Sequence, residues 1–271
     1  MSAAAVAVRP GGGRVNSAAV AVRAVGVVAG RDLYRLVGQP GMLATQGLQM
    51  LFFLLVYAIG FNGMIGSVGD VPFSAYVFPG ILAIQVVSTG VNTGMSFAWD
   101  RRFGFLREME VAPVPRWSLP LGKAAGTTVI GTAQSAVLLA FAPIAGVHLT
   151  PLSALLGLVV CAATAAVFCG VGLVLALLFT RIEVLQGAVQ LAMFPLLFLS
   201  GSIFRPDQAP GWLSSAMYAN PMSYCVDLLR QVLINMPGGK VPVLMPAWAD
   251  LLALAVPAVV LVVAIRWRSG R

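Results

Sequence analysis

Residues 152–180 read LSALLGLVVCAATAAVFCGVGLVLALLFT, and no charge falls between His148 and Arg181. A helix needs about 20 mostly apolar residues to cross the hydrocarbon core of a bilayer. This stretch exceeds that length without a single ionisable acid or base. Five further stretches qualify on either side of it: 42–62, 73–98, 124–147, 184–204 and 248–265. The last is the least clean, because Asp250 lies near its start. Composition agrees. The set AVILMFWYC makes up 59% of 271 residues and charged residues 10%, against roughly 45–50% apolar and about 25% charged in a soluble domain. A soluble chain of this length could not hide so much apolar surface. A soluble enzyme, a disordered chain and a disulfide-stapled secreted domain are excluded. The expected fold is an all-α integral membrane protein with six transmembrane helices.

The chain carries 17 Lys and Arg against 9 Asp and Glu. In a soluble protein that excess would suggest nucleic acid. Here it follows the membrane. With the N-terminus in the cytoplasm, the inner segments hold Arg9, Arg14, Arg23, Arg31 and Arg35, then Arg101, Arg102, Arg107, Arg116 and Lys123, then Arg181, then Arg266, Arg268 and Arg271. The outer segments hold only Arg205, Arg230 and Lys240. This split of 14 to 3 places both termini inside by the positive-inside rule. Residues 1–16 read as a flexible basic tail. Their first eight are too short for a signal peptide, so the N-terminus is expected to be retained. Residues 17–38 mix Arg23, Arg31, Asp32 and Arg35 with Val20, Val25, Val28, Leu33 and Leu36, the pattern of a helix lying on the inner membrane surface. Residues 39–268 form the six-span domain.

Residues 220–236 are the rival for a seventh span. Val226, Leu228, Leu229, Val232, Leu233 and Ile234 contribute roughly −2 to −4 kcal/mol to insertion, while Asp227 and Arg230 together cost about +5 to +7 kcal/mol. The cost wins. Asn220 is a suitable N-cap with Pro221 at the first helical position, and Pro237-Gly238 stops the helix. Apolar residues at 222, 225, 226, 229, 232, 233 and 236 make one stripe, with Ser223, Asp227 and Arg230 opposite. The segment is expected to be an outer interfacial or re-entrant helix.

Several chemistries are missing. A nucleotide loop of the form G-x-x-x-x-G-K-[ST] fails at Gly122-Lys123, where Trp117 and Ala124 stand, and at Gly239-Lys240, where Ile234 and Val241 stand. H-E-x-x-H and G-x-S-x-G do not occur, and His148, at a span end, is the only histidine. Cys161 and Cys169 would lie about 12 Å apart along one helix, too far to bridge. Together with Cys225 they read as small apolar residues. No catalytic residue, no metal site and no cofactor in this chain is expected. Span interiors hold amides in place of acids: Gln49, Gln85, Asn92, Gln134 and Gln190. These suit a path for a bulky, uncharged or amphipathic substrate, or hydrogen bonds between helices. Small residues recur at Gly90 and Gly94 and at Ala162, Ala166 and Gly170, spacing that lets helices approach closely, within one chain or between two copies. Pro79 and Pro195 are candidate kinks.

The longest inner loop, residues 99–123, reads WDRRFGFLREMEVAPVPRWSLPLGK. Asp100 is expected to cap a short helix with Phe103, Leu106 and Met109 on one side. Pro113 stops it, since a residue before proline is pushed out of the helical region, and Pro115 prevents a restart. Its aromatic and acidic content exceeds what membrane anchoring needs and suits docking on another protein.

The run Arg107-Glu108-Met109-Glu110-Val111-Ala112-Pro113-Val114-Pro115-Arg116, followed by Gly122-Lys123, resembles the cytoplasmic loop of ABC type 2 permeases, the membrane subunits of ATP-driven exporters. Asn220-Pro221-Met222-Ser223-Tyr224, with Asp227 and Arg230, resembles that family's Asn-Pro motif before the last span. The similarity covers about residues 20–268 and is greatest to permeases of the daunorubicin-resistance type, common in actinobacteria. Pro115 departs from the family, which often has Ser or Thr there. The resemblance implies a bacterial inner-membrane protein that works as a dimer, either two copies or one copy with a sister permease. Two ABC ATPase subunits, carrying the ATP and magnesium, would bind beneath. The loop would then act as a coupling helix: Phe103, Leu106, Arg107, Glu108 and Met109 dock, Gly104, Pro113 and Pro115 set its shape, and Arg116 and Lys123 anchor it at the membrane edge. The implied substrate is a drug, lipid or polyketide-like molecule. Two other readings compete. An ion-coupled carrier or channel would show gradient-driven uptake without ATP. A membrane enzyme or assembly subunit would show catalysis by the isolated chain. A neighbouring ATPase gene would favour the exporter.

Overall fold

The computed structural model describes residues 40–56, 67–68, 70–102, 118–179, 181–202 and 209–255, with isolated positions at 26, 30, 34, 38 and 60. The expected basic tail at 1–16 lies outside them. So do nearly all of the interfacial helix at 17–38 and the end of the last span beyond residue 255.

Helices dominate. They are α1 (Pro40–Leu55), α2 (Phe73–Arg102), α3 (Ser118–Leu139), α4 (Pro151–Leu178), α5 (Ile182–Phe198), α6 (Gly211–Ala219) and α7 (Pro221–Arg230). A further helical stretch covers residues 247–255. Among the described residues, the exception to an all-α fold is a short antiparallel hairpin before α2, in which Ser67 pairs with Pro72 and Val68 with Val71. Among the described residues, α2 and α4 are long and apolar enough to cross a membrane, and α5 is a shorter apolar helix of 17 residues. The third expected span begins earlier than 124 and ends at Leu139, followed by a 3-10 turn at Ala142–Ala145. The fifth ends at Phe198 instead of 204.

Local chemistry explains the helix ends. Thr150 and Ser153 close a reciprocal capping box at the start of α4, with Pro151 at the first position, which satisfies two otherwise orphaned amides. At α7 the Asn220 side chain accepts from the Met222 N–H at 2.9 Å, and Pro221 follows. Gly238, with φ of 113°, ends the segment after the π turn at Gln231–Asn235.

The core is the crossing of α2 and α4. A side chain at Gly94 would meet the Cys169 carbonyl oxygen at 2.1 Å, and one at Gly172 would meet that of Val91 at 2.3 Å. Neither glycine can be replaced without separating the two backbones. The Gly90–Gly94 row therefore packs within the chain. Its partners on α4 are Ala165, Phe168, Cys169 and Gly172, a face rotated from the Ala162–Ala166–Gly170 row that spacing alone singled out.

Contacts sort the element ends into two groups. At one end, Ser74 donates to the Ala145 carbonyl at 2.8 Å, and Asn220 and Ser223 donate to the Leu196 and Leu199 carbonyls. This end gathers the start of α2, the turn after α3, the end of α5 and the start of α7. At the other end Arg101 donates to the Phe179 carbonyl and Arg102 pairs with Glu183, joining the end of α2 to the link between α4 and α5. Helices α2 to α5 thus run alternately up and down.

Candidate functional site

The coupling loop itself, with Phe103, Gly104, Leu106, Arg107, Glu108, Met109, Pro113, Pro115 and Arg116, lies outside the described residues. Its two roots do not. Asp100 starts no new helix: α2 continues through it to Arg102, and Arg101 and Arg102 occupy the last turn, where cations suit the helix dipole. Lys123, expected at the membrane edge, is buried. Its Nζ lies 2.9 Å from Asp100 Oδ2, with the two side chains only 1% and 10% exposed. The opposed charge explains the difference, since a lysine taken out of water requires a partner.

A polar ladder rises from this pair. Lys123 Nζ donates to Ser96 Oγ at 2.6 Å, and Ser96 Oγ donates to the Thr93 carbonyl at 2.7 Å. Thr93 Oγ1 donates to the Thr89 carbonyl, and Thr89 Oγ1 crosses to Gln134 Oε1 of α3, both at 2.8 Å. Thr127 Oγ1 donates to the Lys123 carbonyl and reaches Cys169 Sγ of α4. Reading for amides picked out Gln134 but not these hydroxyls. The legible signal was the 4-3-4 spacing of Thr89, Thr93, Ser96 and Asp100, which places all four on one face of a helix.

The structure does not gather the five amides into one path. Gln134 bonds Thr89 between helices, and Gln85 is half-buried on α2. Gln49, Asn92 and Gln190 are exposed on α1, α2 and α5.

The outer helix is more deeply placed than an amphipathic stripe suggests. Both of its faces are buried, with Asp227 at 0% and Arg230 at 1% exposure. Arg230 donates through its guanidinium to the carbonyls of Gly201 at 2.6 Å, Ser202 at 3.2 Å and Tyr76 at 3.4 Å. It also stacks 3.9 Å from the centre of the Tyr76 ring. Asp227 Oδ2 accepts from the Leu244 and Met245 amides and from Gln231, whose Nε2 also reaches Asp250 Oδ2 at 2.7 Å. Helix α7 is thus packed inside the protein on both faces. Both its start and its Arg230 end touch the same end of the bundle. Its two ions are satisfied largely by carbonyls and amides of the irregular segments around it. It follows that the bundle holds more buried charge than the span pattern suggested: Asp100, Lys123, Asp227, Arg230 and Asp250.

This arrangement is that of a helical membrane protein whose polar groups serve packing and linkage. Residues 23–234 match the ABC-2 type transporter family, and the chain belongs to that family. It is similar to the putative transport permease ycf38 of Cyanophora paradoxa, 27% identical over 75% of this chain and 72% of the relative. It is also similar to the daunorubicin resistance ABC transporter permease protein DrrB1 of Streptomyces coeruleorubidus, at 26% over 70% and 68%. Similarity to the probable multidrug ABC transporter permease YbhR of Escherichia coli is 25% over 61% of this chain, which spans under half of that relative's length. The chain is accordingly a membrane subunit of an ABC transporter, a transport component that works with an ABC ATPase subunit and is not itself the catalyst.

Proposed function

We propose that this chain is the permease of an ATP-driven exporter that moves a hydrophobic or amphipathic substrate out of the cytoplasm of a bacterial cell. The observation that carries the reading is the family match over residues 23–234, joined to relatives named for multidrug transport and daunorubicin resistance. Six spans with both termini cytoplasmic accord with the 14-to-3 charge split and with the up-and-down run of α2 to α5. Two permeases, identical or paired with a sister subunit, form the path, and two ATPase subunits bind beneath. The exposed apolar side chains Leu48, Phe52, Leu191 and Phe194 on α1 and α5 suit contact with lipid or with the second permease.

The loop at 103–117 acts as the coupling element. ATP binding closes the two ATPase subunits, the loop moves with them, and the path opens outward. Three of the five buried charges do not favour an ion-coupled carrier: Lys123 and Asp100 neutralise each other, and Arg230 is held by three carbonyls.

The test is the complex of this chain with an ABC ATPase subunit that co-purifies with it, reconstituted in vesicles with daunorubicin as the probe. Glu108→Lys reverses a contact charge, and Phe103→Ala removes an apolar anchor, commonly worth more than about 1 kcal/mol at a hot spot. The double variant is expected to insert normally, to lose ATPase on co-purification and to lose ATP-dependent daunorubicin efflux. Normal efflux and ATPase recovery would reject the loop as the coupling element. Gradient-driven uptake without ATP would reject the exporter.

A further inference from the structure

The two roots of the 103–117 loop meet in the buried Asp100–Lys123 pair, three residues before the loop on α2 and six after it on α3. We propose that this pair is a positioning clamp and that the ladder above it makes α2 and α3 one lever, so that displacement of the loop reaches the middle of the helices as a common motion. The inference rests on reading 103–117 as the coupling loop.

Four observations support it. The ladder is continuous: Asp100, Lys123, Ser96, Thr93, Thr89 and Gln134 are linked by contacts of 2.6 to 2.9 Å. It is long, since residues 89 to 100 span about 16 Å of helix. It begins and ends by crossing between α2 and α3, so the two helices are joined at two heights. Sliding one past the other would break hydrogen bonds in a region poor in water, where a lost partner leaves a buried polar group unsatisfied. Finally, the ends are braced. Arg101 holds the Phe179 carbonyl, and Thr127 reaches Cys169, so the lever pivots on α4.

A purely stabilising role does not account for the pair. Replacing a buried ion pair by apolar residues of similar volume is often neutral or stabilising, whereas directional ionic contacts can fix one register. In an apolar pair the helices would still pack, but at the loop end no directional contact would fix their relative height, and of the ladder's crossings only the Thr89–Gln134 bond would remain between them.

The experiment uses the permease–ATPase complex in nanodiscs, with Asn92→Cys as a reporter on the exposed face of α2. The native cysteines Cys161, Cys169 and Cys225 are buried and supply the background rate. The probe is a membrane-permeant fluorescent maleimide, applied with and without ATP and vanadate. With the clamp intact, nucleotide trapping is expected to change the labelling rate about threefold or more, within the range that coupling networks transmit. Asp100→Leu with Lys123→Leu is expected to keep the melting temperature and the bound ATPase but to abolish the nucleotide response. Lys123→Arg, which keeps the pair, is expected to retain it. An undiminished response in the apolar double variant overturns the clamp alone. A complex with the clamp intact that shows no nucleotide response overturns the coupling reading beneath it.

Discussion

Arg230 shows how a side chain that is costly to place in lipid can sit inside the protein. Its charge makes crossing costly, and the remedy is three carbonyl acceptors and the face of Tyr76. Two of those carbonyls belong to Gly201 and Ser202, in the turn that follows α5. Arg230→Met should leave these acceptors unpaired and remove a positive charge that interacts with Asp227. Removing one partner of a buried charged network costs about 3–5 kcal/mol. A marked fall in the melting temperature of detergent-purified protein is therefore expected, and an unchanged melting curve would show the contacts to be dispensable. Arg230→Lys should fall between the two, because an ammonium cannot reproduce the planar fork or the stacking on Tyr76.

At the scale of elements, the crossing of α2 and α4 depends on absent side chains. Gly94→Ala places a carbon 2.1 Å from a backbone oxygen of α4. Backbone cannot turn away as a flexible side chain can, so overpacking of about 1–3 kcal/mol is expected, read as lower thermal stability. Gly187→Ala on α5 meets nothing within 4 Å and should be neutral or slightly stabilising, since alanine is the better helix former by about 1 kcal/mol. Equal melting points for the two variants would contradict this packing. Helix α7 makes a separate prediction. A reporter fused after Gly239 should lie outside the cell, and Asp227→Leu with Arg230→Leu should raise the fraction that crosses. A cytoplasmic reporter in the unaltered chain would refute the outer placement.

For the whole molecule, the charge split predicts orientation. Ser2→Cys and Ser269→Cys should resist an impermeant thiol reagent in intact cells, and Ser67→Cys, exposed in the hairpin before α2, should react. Labelling at either terminus would invert the topology. The membrane class, the long apolar helices and the caps at Asn220 and Pro221 were legible in the chain because they depend on local quantities: the length of an apolar run, the cost of an ion in lipid and the geometry of a helix end. The family was legible too, through the loop around Glu108 to Arg116 and the Asn-Pro motif. What the linear pattern could not contain was pairing. Lys123 read as a surface anchor because Asp100 is 23 positions away in the chain, although only 2.9 Å away in space. Which α4 residues receive Gly94 was not legible, because spacing defines faces of a helix but not which face meets a neighbour. Arg230 and Asp227 read as one polar side of a stripe because their acceptors lie in irregular segments, whose carbonyls and amides leave no mark in hydropathy. The sequence by itself determined that the chain enters a membrane, because the length of an apolar run is a local quantity. Only the tertiary structure decided which buried charges face each other, since the free energy of a charge in the interior is set by the atoms brought within a few ångströms of it.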